Sequence, residues 1–181
     1  MNTIYLECIT TGDDPKKDEL LRVTIVDDED TILFDDYFKP SRTTDWDDSK
    51  HHTGHKIIDT QGLNIEDCID EITRILLKAD NIVGSKAHLD IEFLKAVGVH
   101  LWVTTEIHSI LDCYNPIMLQ DGTFNDDSID RYTRILNLAD YYDYEWQNWG
   151  KCAPPRRMAF NTIEACRIAR LVDYEKLKSL F

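Results

Sequence analysis

The side chains able to do metal or proton chemistry are scattered along the chain. His51, His52 and His55 lie close together, and the i, i+4 spacing of His51 and His55 would set two imidazoles on one helix face. That spacing alone fits a solvated helix face equally well. The cysteines Cys8, Cys68, Cys113, Cys152 and Cys166 are odd in number and form no C-x-x-C pair. This spacing speaks against a zinc knuckle and for free thiols in a reducing cytoplasm. Asp112 follows an apolar stretch, where it either sits near a site or caps a turn. Trp146 and Trp149 precede Pro154-Pro155-Arg156-Arg157, a candidate stacking or partner surface that packing would explain as well.

The elements that would position such groups follow from periodicity. Thr3 to Glu7, Leu20 to Val26 and Thr31 to Phe38 read as strands. Thr10-Thr11-Gly12 and the acidic run Asp27-Asp28-Glu29-Asp30 read as turns. Pro40 to Ile57 is polar and irregular. Asn64 to Ala79 carries apolar residues at helical spacing, with Asn64 as N-cap. A short strand at Asn81 to Gly84, a helix at Leu89 to Val97, and a strand running into a turn at Glu106 to Cys113 follow. Two more helices are expected, at Ser128 to Tyr142 and Phe160 to Val172. Strands first, then alternating helix and strand, make a mixed α/β pattern, and residues 1–181 read as one domain without a linker or repeat.

Composition narrows the function classes. Thirty-four acidic residues against 20 basic ones give a net charge of −14, which disfavours broad coating of nucleic acid. A small cleft charged by divalent metal is still compatible with that charge, as is a basic protein partner. No apolar run is long enough to span a bilayer and no secretory leader is visible, so a cytoplasmic protein without a membrane partner is expected.

The order of local patterns resembles the DnaQ-like exonucleases across nearly the whole chain. Ile4 to Gly12 (IYLECITTG) is similar to the strand and turn that open the family, D-x-E-T-T-G. His52 to Ile57 (HTGHKI) resembles its H-x-G-I segment, and Val83 to Leu94 (VGSKAHLDIEFL) resembles V-G-H-N-x-x-F-D-x-x-F-L. Ala159 to Cys166 (AFNTIEAC) resembles H-x-A-x-x-D-A. The resemblance implies an RNase H-like α/β fold, a central mixed sheet flanked by helices. It also implies 3′–5′ hydrolysis of phosphodiester ends by water and two divalent metals about 3.5–4 Å apart.

Carried over residue by residue, the resemblance places Glu7, Asp90 and Glu164 at metal-binding carboxylate positions, as the catalytic and metal-ligating set. Two of these are one methylene longer than the family's aspartates. Ile9 stands where the second carboxylate belongs; a glutamate there would share a strand face with residue 7. Ala159 and Phe160 stand where the family's two branches carry a histidine or a tyrosine beside the attacking water. Loss of a general base costs roughly 10²–10⁴-fold in rate. Thr10, Thr11 and Lys86 fall where the nucleic-acid strand would pass, and His88 is a candidate displaced base or a surface histidine.

Three outcomes are open on these residues: an adapted exonuclease acting on single-stranded DNA or RNA ends, an impaired relative that binds such ends, or a protein-binding module. Mg2+ or Mn2+ is the implied cofactor, held weakly or lost. In its absence the three carboxylates would repel one another and their pKa values would rise.

Overall fold

The computed structural model describes residues 2–46, 55–109, 139, 142–145, 164, 167, 168 and 171. Within them lie strands β1 (Thr3–Thr10), β2 (Leu20–Asp27) and β3 (Ile32–Tyr37), then helix α1 (His55–Gln61) and a 3-10 turn (Ile65–Asp67). Helix α2 (Ile69–Leu76), β4 (Asn81–Gly84), α3 (Ala87–Ala96) and β5 (Glu106–Ser109) follow. The sheet runs β3-β2-β1-β4-β5. β1 is antiparallel to β2 and β2 to β3, whereas β4 lies parallel to both β1 and β5.

Alternation along β1 sends Ile4, Leu6 and Cys8 to one face, where they meet Val23, Ile25 and Phe34 of the neighbouring strands. Ile72 and Leu76 of α2 and Ile91, Phe93 and Leu94 of α3 close over that face. The opposite face holds a smaller apolar cluster of Ile9, Leu21, Tyr37 and Ile58. Among the described residues no helix is long and apolar enough to cross a membrane.

The mixed sheet flanked by helices matches expectation, with local differences. β1 extends to Thr10, past Glu7, because pairing with β2 continues through a bulge between Ile9 and Thr10. α1 begins at His55, inside the stretch read as irregular. The helix expected from Asn64 starts only at Ile69. Leu63 is still bridged to Phe38, and Asn64 is extended (φ −81, ψ 131) with no side-chain cap. The chain therefore has to turn out of the sheet through the 3-10 segment before an α-helix can form. The expected helices at 128–142 and 160–172 lie almost wholly outside the described residues; Ala139, Glu164, Arg167 and Ile168 are helical.

Candidate functional site

Glu7 shares its strand face with Tyr5 and Ile9, and its cross-strand partner is Thr24. The carboxylate is 3% exposed. It is held from the β4–α3 junction: the Ser85 amide donates to Oε1 at 3.0 Å, and the Ser85 hydroxyl donates to the same oxygen. Gly84 makes this approach possible, since a Cβ there would collide with the Leu6 carbonyl oxygen. No local pattern signals that Ser85 meets Glu7, because the contact spans 78 positions.

Ile9 is buried in the apolar cluster with Leu21, Tyr37 and Ile58. Its cross-strand partner is Arg22. That guanidinium is itself buried and grips Asp35 with two bonds, 2.8 and 2.7 Å, while donating to the Tyr37 hydroxyl at 2.7 Å. Thr24 adds a bond to Asp35 at 2.9 Å. The neighbourhood of Ile9 is thus apolar on one side, and on the other a buried Arg22–Asp35 ion pair whose charges are already matched.

Asp90 lies in the first turn of α3 and is 4% exposed. Burial raises its carboxyl to about 8, against the smaller opposing effects of the Cys8 backbone N–H and the Lys86 charge. The rise has the expected direction but a different leading cause: desolvation comes first, and no carboxylate among the described residues is among its causes. Its Oδ2 finds no hydrogen-bond partner among the described residues. Cys8, beside it, is pushed well above its ordinary range by burial first and by Asp90 second.

Glu164 is fully buried on the last described helical turn. Tyr144 donates to its Oε2 at 2.8 Å and Arg167 donates to Oε1 at 3.2 Å. Arg167 also reaches Asp30 of the β2–β3 turn, through Nε at 3.1 Å and Nη2 at 2.6 Å. Burial and the Glu164 bond push Tyr144 up to about 12, so it stays a donor and cannot take a proton near neutrality. The i, i+3 spacing of Glu164 and Arg167 was a readable signal for a paired helix face. Tyr144 and Asp30 carried none.

The expected strand-contacting residues are engaged in local structure. The Thr10 hydroxyl donates to the Gly12 carbonyl at 2.6 Å, and the Thr11 hydroxyl accepts the Glu19 amide at 3.0 Å. Lys86 is half-exposed and pairs with Asp13 at 3.5 Å. His88 is exposed, its backbone amide on Ser109 Oγ at 3.3 Å. His55 stacks against Trp46, with centroids 3.8 Å apart. His51, His52, Asp112, Trp146, Trp149, Ala159 and Phe160 lie outside the described residues.

Whether a metal pair fits can be judged from the donor atoms. The bare Oδ2 of Asp90 is the kind of atom a cation satisfies. Against it, Oε1 of Glu7 already takes two bonds from Ser85, Glu164 is bonded through both oxygens, and Ile9 offers no donor. Among the described residues no group of three His, Cys, Asp or Glu side chains is arranged to hold a metal ion. The described residues as they stand do not fit a two-metal centre.

Sheet order and strand directions give a DnaQ-like fold of the RNase H-like class, a mixed sheet flanked by helices. Solved structures of exonuclease I share it. A product-bound exonuclease I superposes with a TM-score of 0.67 at 15% identity, covering 99% of this chain and 46% of that one. E. coli exonuclease I with a dA16 oligonucleotide gives 0.62 at 17% identity, covering 96% and 42%. The zinc-bound form of an E. coli exonuclease I–ssDNA complex gives 0.63 at 16%, covering 96% and 40%. The chain thus spans less than half the length of these proteins. No protein-family model and no curated protein matches its sequence.

Proposed function

We propose that this chain is an exonuclease-fold protein that engages single-stranded nucleic-acid ends and hydrolyses them slowly or not at all. Ile9 carries the reading. An apolar side chain packed against Leu21, Tyr37 and Ile58 takes the place of the carboxylate that would bridge two metals. The ends of DNA or RNA are proposed as ligands because exonuclease I, whose fold the chain shares, is solved with single-stranded oligonucleotides. A protein partner is also in keeping with the acidic charge, and the free buried thiols Cys8 and Cys68 suit the cytoplasm. If Mg2+ or Mn2+ binds, Asp90 is its anchor, with Glu7 and Glu164 available only after giving up Ser85 and Arg167.

The test restores the missing groups. A variant carrying Ile9→Glu, Ala159→His, Glu7→Asp and Glu164→Asp is compared with the parent on labelled single-stranded DNA and RNA, with Mg2+ and with Mn2+. Catalytic groups that act as a unit are strongly non-additive, so the combined variant is the informative one. It should trim ends in a metal-dependent way at least ~10²-fold faster than the parent. A second reading, an adapted exonuclease, is favoured by the bare Asp90 oxygen. It wins if the parent itself trims briskly and Asp90→Ala abolishes the activity.

A further inference from the structure

The bonds of Arg167 extend the reading above and rest on it. A divalent ion in a nuclease of this fold would do two jobs: neutralise carboxylates gathered in a dry site, and tie together the elements that bear them. In this chain a side chain does both for one of those carboxylates, bonding buried Glu164 and tying the segment that bears it to Asp30. We propose that Arg167 is a resident cation that stands in for metal at Glu164, docking the helical segment that bears both residues onto the β2–β3 turn and keeping the fold independent of divalent ions.

The geometry is that of a bridge. One edge of the guanidinium, Nε and Nη2, lies on Asp30 Oδ2, and Nη1 lies on Glu164 Oε1. The two carboxylates come from elements far apart in sequence, with 137 positions between Asp30 and Arg167. Asp30 is presented by a well-tied turn: Asp27 Oδ1 accepts the Glu29 and Thr31 amides at 2.9 and 2.8 Å, and Asp30 itself adopts φ 64. Tyr144 closes the other oxygen of Glu164, as a ligand water or protein donor would around a metal-bound carboxylate. A planar guanidinium suits this task, since its fork bonds two acceptors at fixed angles and never loses its charge. Burial works downward on the Arg167 guanidinium, and the bonds to Asp30 and Tyr144 outweigh it, so its pKa lies above the ordinary value.

Exposed ion pairs contribute little, but Glu164 is fully buried, so removing the Arg167 charge leaves that carboxylate less well compensated away from water. Thermal unfolding of the full chain in EDTA should then be lowered by ~10 °C in Arg167→Gln. Millimolar MnCl2 or methylguanidinium should restore at least half of that loss, with NaCl of equal ionic strength as the control. The wild type should not respond to methylguanidinium, and should gain far less from MnCl2 than Arg167→Gln does, since only weak binding at Asp90 is open to it. Arg167→Gln combined with Glu164→Gln removes both charges and should be more stable than the single variant and indifferent to cations. If Arg167→Gln fails to fold in EDTA, circular dichroism should show it folding when either cation is added. The proposal is overturned if Arg167→Gln keeps the parent's Tm, if neither cation restores it, or if the double variant is no more stable than the single. These outcomes are separate from hydrolysis. A parent that cuts briskly defeats the proposed function yet leaves cation rescue intact. A silent parent without rescue leaves the function and removes the role of Arg167.

Discussion

Replacing Asp90 by asparagine probes how its burial is tolerated. The carboxyl is 4% exposed, one oxygen has no described partner, and its folded-state pKa is about 8 against an ordinary 3.8. A carboxyl whose pKa is raised on folding contributes stability that is full below pH 3.8 and is lost as pH rises through 8. Each unit is worth about 1.4 kcal/mol, so a shift of about four units sets a ceiling of roughly 6 kcal/mol. Relaxation and water entry reduce such penalties, and ~2–4 kcal/mol is the expected span. Asparagine mimics the protonated form and cannot ionise. Its amide leaves an unsatisfied donor where Oδ2 was, at a pH-independent cost of about 1–3 kcal/mol. The informative quantity is therefore the slope and not the sign at one pH. Urea unfolding of both proteins in EDTA should be measured between pH 4 and pH 9. The variant should gain ~2–4 kcal/mol on the wild type across that range, with the gain levelling off above pH 8. Parallel curves would refute the reasoning, because they would mean that Asp90 is ionised at ordinary pH in the folded chain.

Glu19 titrates in the opposite direction. Burial works upward on it, but the Ser41, Thr43 and Arg42 amides and the Ser41 hydroxyl hold it at about 2. Its contribution is present above pH 4.5 and lost as pH falls through 2, and Glu19→Ala should cost ~2 kcal/mol near neutrality by urea midpoint and remove that acid-side slope. Arg22→Met strands Asp35 beside the sheet and should cost ~3–5 kcal/mol, with much of it regained by adding Asp35→Leu; a cost below about 1 kcal/mol would contradict the pair's burial. Gly84→Ala should lower the Tm because the new methyl meets the Leu6 carbonyl, and an unchanged Tm would show that β4 can shift away from β1.

The strands were legible because β1, β2 and β4 are apolar runs bounded by turn residues, and the resemblance to the exonucleases rested on motifs in order along the chain, from IYLECITTG to AFNTIEAC. Helix α1 was not, because His55–Gln61 has few apolar positions, with Ile58 the one buried side chain among those described. Glu7, Asp90 and Glu164 could be named from motif order, and the absence of a donor at Ile9 was visible in the sequence itself. What occupies the carboxylates was not visible. Ser85 on Glu7 and Arg167 on Asp30 are contacts across 78 and 137 positions, set by how β4 and the late helix pack and not by any local pattern. The rise at Asp90 was expected from repulsion, but depth of burial, which a sequence does not display, is its leading cause.

Titration calorimetry with MnCl2 on the metal-free chain tests the central claim most directly. With Ile9 in place of a bridging acid, Ser85 on Glu7 and Arg167 on Glu164, at most one ion should bind. It should bind weakly, at Asp90, and with uptake of a proton by the buffer, because the carboxyl at about 8 must ionise first. Asp90→Asn should abolish the signal. Two tight sites, or binding that survives Asp90→Asn unchanged, would contradict the account and show that this exonuclease fold has kept a working metal pair.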